Sequence, residues 1–255
     1  MTEPPGEFTE DAFLGGQLRL RQFKSGHRAG HDALLLAAAT LARSGDRVVD
    51  FGAGVGAAGL AVAKRVTGIE LVLVEIDAAL AGLARGNAAS NAIAADVIVL
   101  DVTSAADTFA AARLPPDSVD VVLMNPPFND PARHRASPDK ARVSAHVATV
   151  ATLESWIHAG RRILKSGGVL SLIWRADGLA EVLAALDRGF GSLAILPVHG
   201  DASTPAIRVL IRAIKGGKAP TRLHAALLLN DESTMPNKQV QDILAGKGVL
   251  PLAIP

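Results

Sequence analysis

From Val48 onward, short unbroken apolar runs alternate with longer segments whose apolar positions recur every three or four residues. The runs are Val48–Phe51, Leu71–Ile76, Val97–Asp101, Val119–Met124 and Val169–Trp174. Runs of that length without polar alternation mark strands buried on both faces, as in a parallel sheet covered by helices. Helices are predicted after the first run as far as Arg65, over Ala78–Ala89, in an alanine-rich stretch before a Pro-Pro break, over roughly Val147–Leu164, and over Leu179–Arg188. Leu193–Val198 and Arg208–Ile214 follow, joined by a connection without helical periodicity, which predicts an antiparallel hairpin. The pattern predicts an α/β fold: a Rossmann-like, seven-stranded, mostly parallel sheet with a terminal antiparallel hairpin and helices on both faces.

The flanks are less regular. Residues 1–12 read as a loosely packed lead-in, and Phe13–Arg28 as a stretch able to hold a short hairpin. His31–Arg43 (HDALLLAAATLAR) predicts a helix with Asp32 placed to cap its first turn. After residue 215 only one strand-like piece, Leu223–Asn230, and a short helix near Lys238–Ala245 are predicted. The organisation expected is an N-terminal extension over 1–30, a main domain over 31–215, and a C-terminal extension over 216–255 packed on that domain.

Composition narrows the class. Aromatic residues are 4% of the chain and tyrosine is absent, so Ala, Leu, Val and Ile must build the core. With no cysteine, disulfides and thiolate metal sites are excluded, and the histidines show no ligand spacing, so no metal is expected. Lys and Arg number 26 against 25 Asp and Glu, which argues against a globally basic nucleic-acid binder but leaves room for a local patch. The N-terminus is unlike a secretory signal, and the longest apolar stretch, Ala33–Ala42, is about half of a membrane span. A cytoplasmic protein without a membrane partner is expected.

The first strand runs into DFGAGVGAAGL, with Asp50, Gly52, Gly54 and Gly56 at alternating positions. Glycines there allow a sharp turn and close approach of a ligand to the main chain. The same letters satisfy a dinucleotide fingerprint, and Glu75, ending the next strand, suits ribose hydroxyls in either case. Asp50 separates the two readings: a carboxylate beside this turn repels a pyrophosphate but suits the ammonium group of S-adenosylmethionine (SAM). The plain alternatives are that Asp50 only caps the strand–helix turn and that Glu75 is only a strand-end acid. Asp101, at the end of VIVLD, suits the adenine amino group of SAM, or else merely starts a turn. Ala53 and Ile76 are counted with these as cofactor-binding positions.

The fourth apolar strand ends in Asn125-Pro126-Pro127-Phe128. Two prolines stiffen the chain at the carboxyl end of the strand, where ligands bind in such sheets. The Asn125 side-chain carbonyl and the Pro126 peptide carbonyl can accept both hydrogens of a planar NH₂ group and aim its lone pair at a methyl donor. Phe128 offers a face for a stacked base. Catalysis is then mostly positioning for an in-line displacement. Asn125 therefore borders both the acceptor and the cofactor.

The D-x-G-x-G-x-G loop, Glu75, Asp101 and N-P-P-F together resemble the class I SAM-dependent amino methyltransferases. More narrowly, GHRAGHDALLLAA resembles the start of the bacterial valine-tRNA adenine-N6 methyltransferases, and the likeness runs over roughly residues 13–215. It implies adenine-N6 methylation of tRNA with SAM, and it places Asp32 at the cofactor pocket. His31 stands where that family more often has Thr, and Phe128 replaces the Tyr common in related enzymes. Arg133, Arg135 and Lys140, in the polar stretch after the N-P-P-F turn, are candidates for contact with substrate phosphates. Arg19, Arg21, Lys24 and Arg28 form a second basic cluster, and Lys215, Lys218 and Arg222 a third. The rival readings are a release-factor-type glutamine-N5 methyltransferase, a DNA adenine-N6 methyltransferase, an NAD(P)-dependent oxidoreductase and a non-catalytic SAM-fold module. Oligomeric state is not readable from the sequence.

Overall fold

A computed structural model describes residues 7–24, 28–127, 140–230, 235 and 237–255, and for 140–149 the backbone alone. The predicted parallel core is present: β3 (Arg47–Phe51), β4 (Glu70–Glu75), β5 (Ala95–Val99), β6 (Val119–Met124) and β7 (Leu164–Arg175). β8 (Phe190–His199) and β9 (Ala206–Lys215) form the predicted antiparallel hairpin. The strand order across these seven is β5-β4-β3-β6-β7-β9-β8, with β9 antiparallel to both its neighbours. Chain order reverses between β3 and β6, so the crevice at the carboxyl ends opens beside Phe51 and Met124, as in other open α/β sheets.

Among the described residues the sheet has nine strands rather than seven. The expected Leu223–Asn230 strand is split into β10 (Arg222–Leu223) and β11 (Leu227–Leu228), both pairing parallel with the outer edge of β8. Both are too short for a hydrophobic run to reveal. The N-terminal expectation is also corrected. β1 (Phe8–Phe13) pairs antiparallel with β2 (Leu18–Phe23), so the hairpin begins inside the supposed lead-in.

Period-two strands divide the core into two layers. Val48, Leu71, Leu73, Val121 and Leu123 face one side, under α1 (His31–Ala39), α2 (Ala57–Arg65) and α3 (Ala78–Ser90). Val49, Phe51, Val72, Val74, Val122 and Met124 face the other, against α4 (Ala106–Ala111), α5 (Lys140–Ile163) and α6 (Leu179–Leu186). α1 stops four residues short of the predicted Arg43: Thr40 turns extended and its hydroxyl donates to the Leu36 carbonyl. Conversely α5 starts earlier than predicted, so Lys140 opens a helix instead of lying in a loop. Past β9, α7 (Lys238–Leu244) and the final turn pack on the α1 layer, where Val240, Ile243, Leu250 and Leu252 are buried. Arg212 of β9 holds that end by donating to the carbonyls of Leu252 and Ile254. Among the described residues no helix is long and apolar enough to cross a membrane.

Candidate functional site

The turn after β3 is built by glycines in left-handed backbone: Gly52 at φ +66°, Gly54 at +57° and Gly56 at +90°. Gly56 is the N-cap of α2 and has no side chain to cap it. Asp50 supplies the missing group from the strand, its Oδ2 accepting from the Gly59 N–H of the first helical turn at 2.8 Å. Burial pushes the Asp50 carboxyl up to about 7; the Gly59 N–H pulls the other way, and the Glu75 charge adds to the rise.

Glu75 at the end of β4 is buried and reaches back across the loop. Its Oε2 accepts from the Gly54 N–H at 2.7 Å and its Oε1 from the Asp77 N–H at 2.9 Å. Asp77 in turn caps α3 through the N–H groups of Ala79 and Leu80. Ala53 is pinned by its N–H to the Val74 carbonyl. Between two anchored acids Ile76 is left 64% exposed, an apolar surface at the crevice mouth. Asp101 lies two residues beyond β5 rather than ending it, and its Oδ1 accepts from the backbone and hydroxyl of Thr103. The turn reading of Asp101 thus describes its present hydrogen bonds, while the side chain stays exposed beside Leu100, whose N–H continues the ladder to the Glu75 carbonyl.

These groups suit SAM and do not suit a dinucleotide. The Gly54 N–H that would receive a pyrophosphate is taken by a carboxylate, with a second carboxyl buried behind it. Open space at Gly54, an exposed apolar Ile76 and acids facing the loop are chemically able to hold an adenosine that ends in a cation.

Asn125 follows β6 at the same edge. Its Oδ1 is buried and accepts no hydrogen bond among the described residues. The cause is local: an Asn side chain normally finds a backbone N–H two residues on, and here that residue is Pro127, preceded by another proline. A buried orphan acceptor costs roughly 1–3 kcal/mol, and such atoms in native proteins call for an explanation. Pro126 is buried beside it.

Asp32 does not cap α1. Its carboxylate accepts from Arg208 Nε at 2.9 Å, tying α1 to the start of β9 at the carboxyl edge. Phe128, Arg133 and Arg135 lie outside the described residues, as does the side chain of Lys140. The N-terminal cations are matched by acids of β1 and of the residue before it: Arg19 with Glu10, Lys24 with Glu7, Arg28 with Asp11. Arg21 lies over the Phe8 ring. In the third cluster Lys215 pairs with Asp117 at the amino edge, away from the crevice. No group of acids and histidines able to hold a metal occurs among the described residues.

Two residues without a sequence signal of their own complete the site. Asn87 of α3 is buried; its Nδ2 donates to the Val55 carbonyl in the glycine loop and to the Arg21 carbonyl, and its Oδ1 accepts from the Arg21 N–H. One turn on, Asn91 makes the same paired bonds with Arg19, so two side-chain amides act as a strand for β2 to pair with. Trp156 of α5 presses on Gly52 from the opposite side. The recurrence of Asn at a four-residue spacing in NAASN was the available clue for the first.

Comparison with known proteins gives the family. Residues 28–199 match the family model described as "Methyltransferase small domain". The chain is 28% identical over 215 residues to the tRNA1(Val) (adenine(37)-N6)-methyltransferase of Dickeya chrysanthemi, covering 82% of this chain and 83% of that protein. It is 30% identical over 151 residues to the ribosomal RNA small subunit methyltransferase C of Pseudomonas syringae pv. syringae, covering 59% of this chain and 38% of that one. A crystal structure from Agrobacterium tumefaciens, described as a predicted O-methyltransferase, superposes with a TM-score of 0.71 at 33% identity, covering 86% of this chain and 98% of that one. The chain belongs to the methyltransferase small-domain family and is a SAM-dependent methyltransferase.

Proposed function

We propose that this methyltransferase transfers the methyl group of SAM to the N6 amino group of an adenine in RNA, most readily a tRNA. The single observation that carries the reading is the orphaned Asn125 Oδ1 at the carboxyl end of β6. A buried acceptor kept free by two following prolines is matched to a donor that arrives with the substrate. Together with the Pro126 carbonyl it offers two acceptors, which suits the two hydrogens of an NH₂ group; a hydroxyl brings one. When bound, SAM supplies an electrophilic methyl group. Glu75, Asp101 and Ile76 are assigned to its adenosine, with Glu75 accepting from ribose hydroxyls on the lone pairs that its bonds to Gly54 and Asp77 leave open. Asp50 and the backbone of Gly52–Gly54 are assigned to its amino-acid end, and Asp32 to the pocket wall. Phe128 is assigned to stacking on the flipped base, and Arg133, Arg135 and Lys140 to the phosphates around it. The adenine-N6 activity named for the Dickeya relative supports the choice of acceptor.

The test is transfer of labelled methyl from SAM to total bacterial tRNA, with rRNA, DNA and protein fractions in parallel, followed by nucleoside and amino-acid analysis. N6-methyladenosine in tRNA is expected. Label confined to another fraction overturns the substrate: methylglutamine in protein would indicate the glutamine reaction that the same Asn-Pro-Pro geometry can serve.

A further inference from the structure

The chain has two tryptophans, Trp156 and Trp174. Trp156 lies on α5, the helix that leads away from the segment after the Asn125 turn. A Cβ built on Gly52 would fall 2.4 Å from Trp156 Cη2 and 3.0 Å from Cζ3, so the tip of the indole fills the space that the missing side chain leaves. The same ring stands edge-on to Phe51, centroids 6.5 Å apart at 87°. Four residues along α5, Gly160 brings the helix onto the strand that carries the acceptor turn: a Cβ there would lie 3.2 Å from Met124 Cε and 3.2 Å from Leu170 Cδ1. One rigid helix therefore touches the cofactor loop at Gly52 and the residue before Asn125.

We infer that Trp156 is a positioning residue for the transfer reaction: it fixes Gly52 and holds the cofactor loop in register with the acceptor turn. Glycine at φ +66° is unstrained, yet it is also the residue with the most conformations to lose, so the restraint must come from outside it. Along the rest of the turn that restraint is hydrogen bonding: Ala53 to Val74, Gly54 to Glu75, Val55 to Asn87 and Gly59 to Asp50. At Gly52 it is the packed indole. Because Trp156 and Gly160 share one helix, a shift of α5 when the acceptor engages moves both contacts together. The assignment rests on SAM lying against the glycine loop and is independent of which acceptor is methylated.

The test uses the full chain with Trp156→Phe, Trp174→Phe, Gly52→Ala and the double variant Gly52→Ala/Trp156→Phe. SAM binding is read by calorimetry and by intrinsic fluorescence. Wild type is expected to bind SAM with a change in fluorescence, and that change is expected to vanish in Trp156→Phe, whose remaining emission is that of Trp174. Trp156→Phe should weaken SAM binding about tenfold and lower the transfer rate at saturating SAM as well, because a misplaced loop misaligns the reacting atoms. Gly52→Ala should also weaken binding, but the two losses should combine to clearly less than their product, since the shorter ring clears the 2.4 Å contact. Wild-type affinity and rate in Trp156→Phe, or two losses that multiply, overturns the inference. Failure of wild type to bind SAM would strike the cofactor assignment instead, so the two failures are distinguishable.

Discussion

The two sides of the crevice are finished differently. On the cofactor side the polar groups at the loop are satisfied within the protein: Asp50 by Gly59, Glu75 by Gly54 and Asp77, Asn87 by Val55 and Arg21. On the acceptor side the Asn125 carbonyl is buried with nothing donating to it among the described residues. A satisfied network rigidifies, whereas a half-satisfied one is costly unless a ligand completes it. On the proposed reading the cofactor side is a preformed seat, and the acceptor side an unpaired half for a substrate amino group to complete.

Breaking the acceptor side should have the largest effect. Asn125→Ala is expected to lower the rate of methyl transfer by about 10²- to 10³-fold, the loss typical of removing one aligned catalytic hydrogen bond. SAM affinity by calorimetry should stay within about twofold of wild type, and Tm should hold or rise, since a buried orphan acceptor is removed. A large loss of SAM affinity in this variant would dissolve the contrast between the two sides.

The cofactor side should respond in binding instead. Glu75→Ala removes a buried carboxylate that bonds two backbone N–H groups. Charged hydrogen bonds are worth about 1.5–3 kcal/mol, so losing those assigned to the ribose hydroxyls should raise the Kd for SAM about 10- to 100-fold. Asn87→Ala sharpens the point, because it touches neither ligand. It leaves the Val55 carbonyl and both backbone groups of Arg21 without their partner, which should destabilise the fold by roughly 2–4 kcal/mol and lower Tm by several degrees. SAM binding should weaken less than in Glu75→Ala.

The last change shows in pH dependence, as a slope and not as a loss of binding or rate. The Asp50 carboxyl is raised from 3.8 to about 7 in the folded protein by burial, against the Gly59 N–H and with help from Glu75. Between those two values the folded chain keeps a proton that the unfolded chain has lost, so this group's contribution is fully present at low pH, declines through the window, and is level above pH 7. Asp50→Asn keeps an oxygen for the Gly59 N–H and removes the titration. Chemical denaturation from pH 4 to 7 should then show a slope shallower than wild type by at most about 1.4 kcal/mol per pH unit. An unchanged slope would mean that Asp50 is ionised in the folded protein throughout.

Much of this was legible in the chain. Apolar runs at Val48, Leu71 and Val119 gave the strands of the parallel core, because a strand buried on both faces must be apolar throughout. Elements that gain stability from tertiary partners were not legible. β1 pairs with β2 through a segment of acids and threonine, and β2 is held on its other edge by the amides of Asn87 and Asn91. The four-residue spacing in NAASN puts both asparagines on one face of a helix, but it does not say that they will stand in for a strand. Likewise Asp32 had the placement of a helix cap, yet Arg208, distant in sequence, outcompeted the local N–H groups for its carboxylate.

The sequence alone determined the alternation of strand and helix, the glycine turn and the Asn-Pro-Pro stop, because each follows from sterics and hydrophobic burial within a few residues. It also determined that Asn125 would lack a local donor, since proline has no N–H. Only the tertiary structure decided that Asp50 would cap α2, that Glu75 would close on Gly54, and that Trp156 would rest on Gly52. The Glu75 and Trp156 pairings join residues that meet only when the sheet has assembled, and the folded turn chose the cap among the roles open to Asp50. A carboxylate or an indole carries no mark in the sequence of which of many possible partners burial will bring to it.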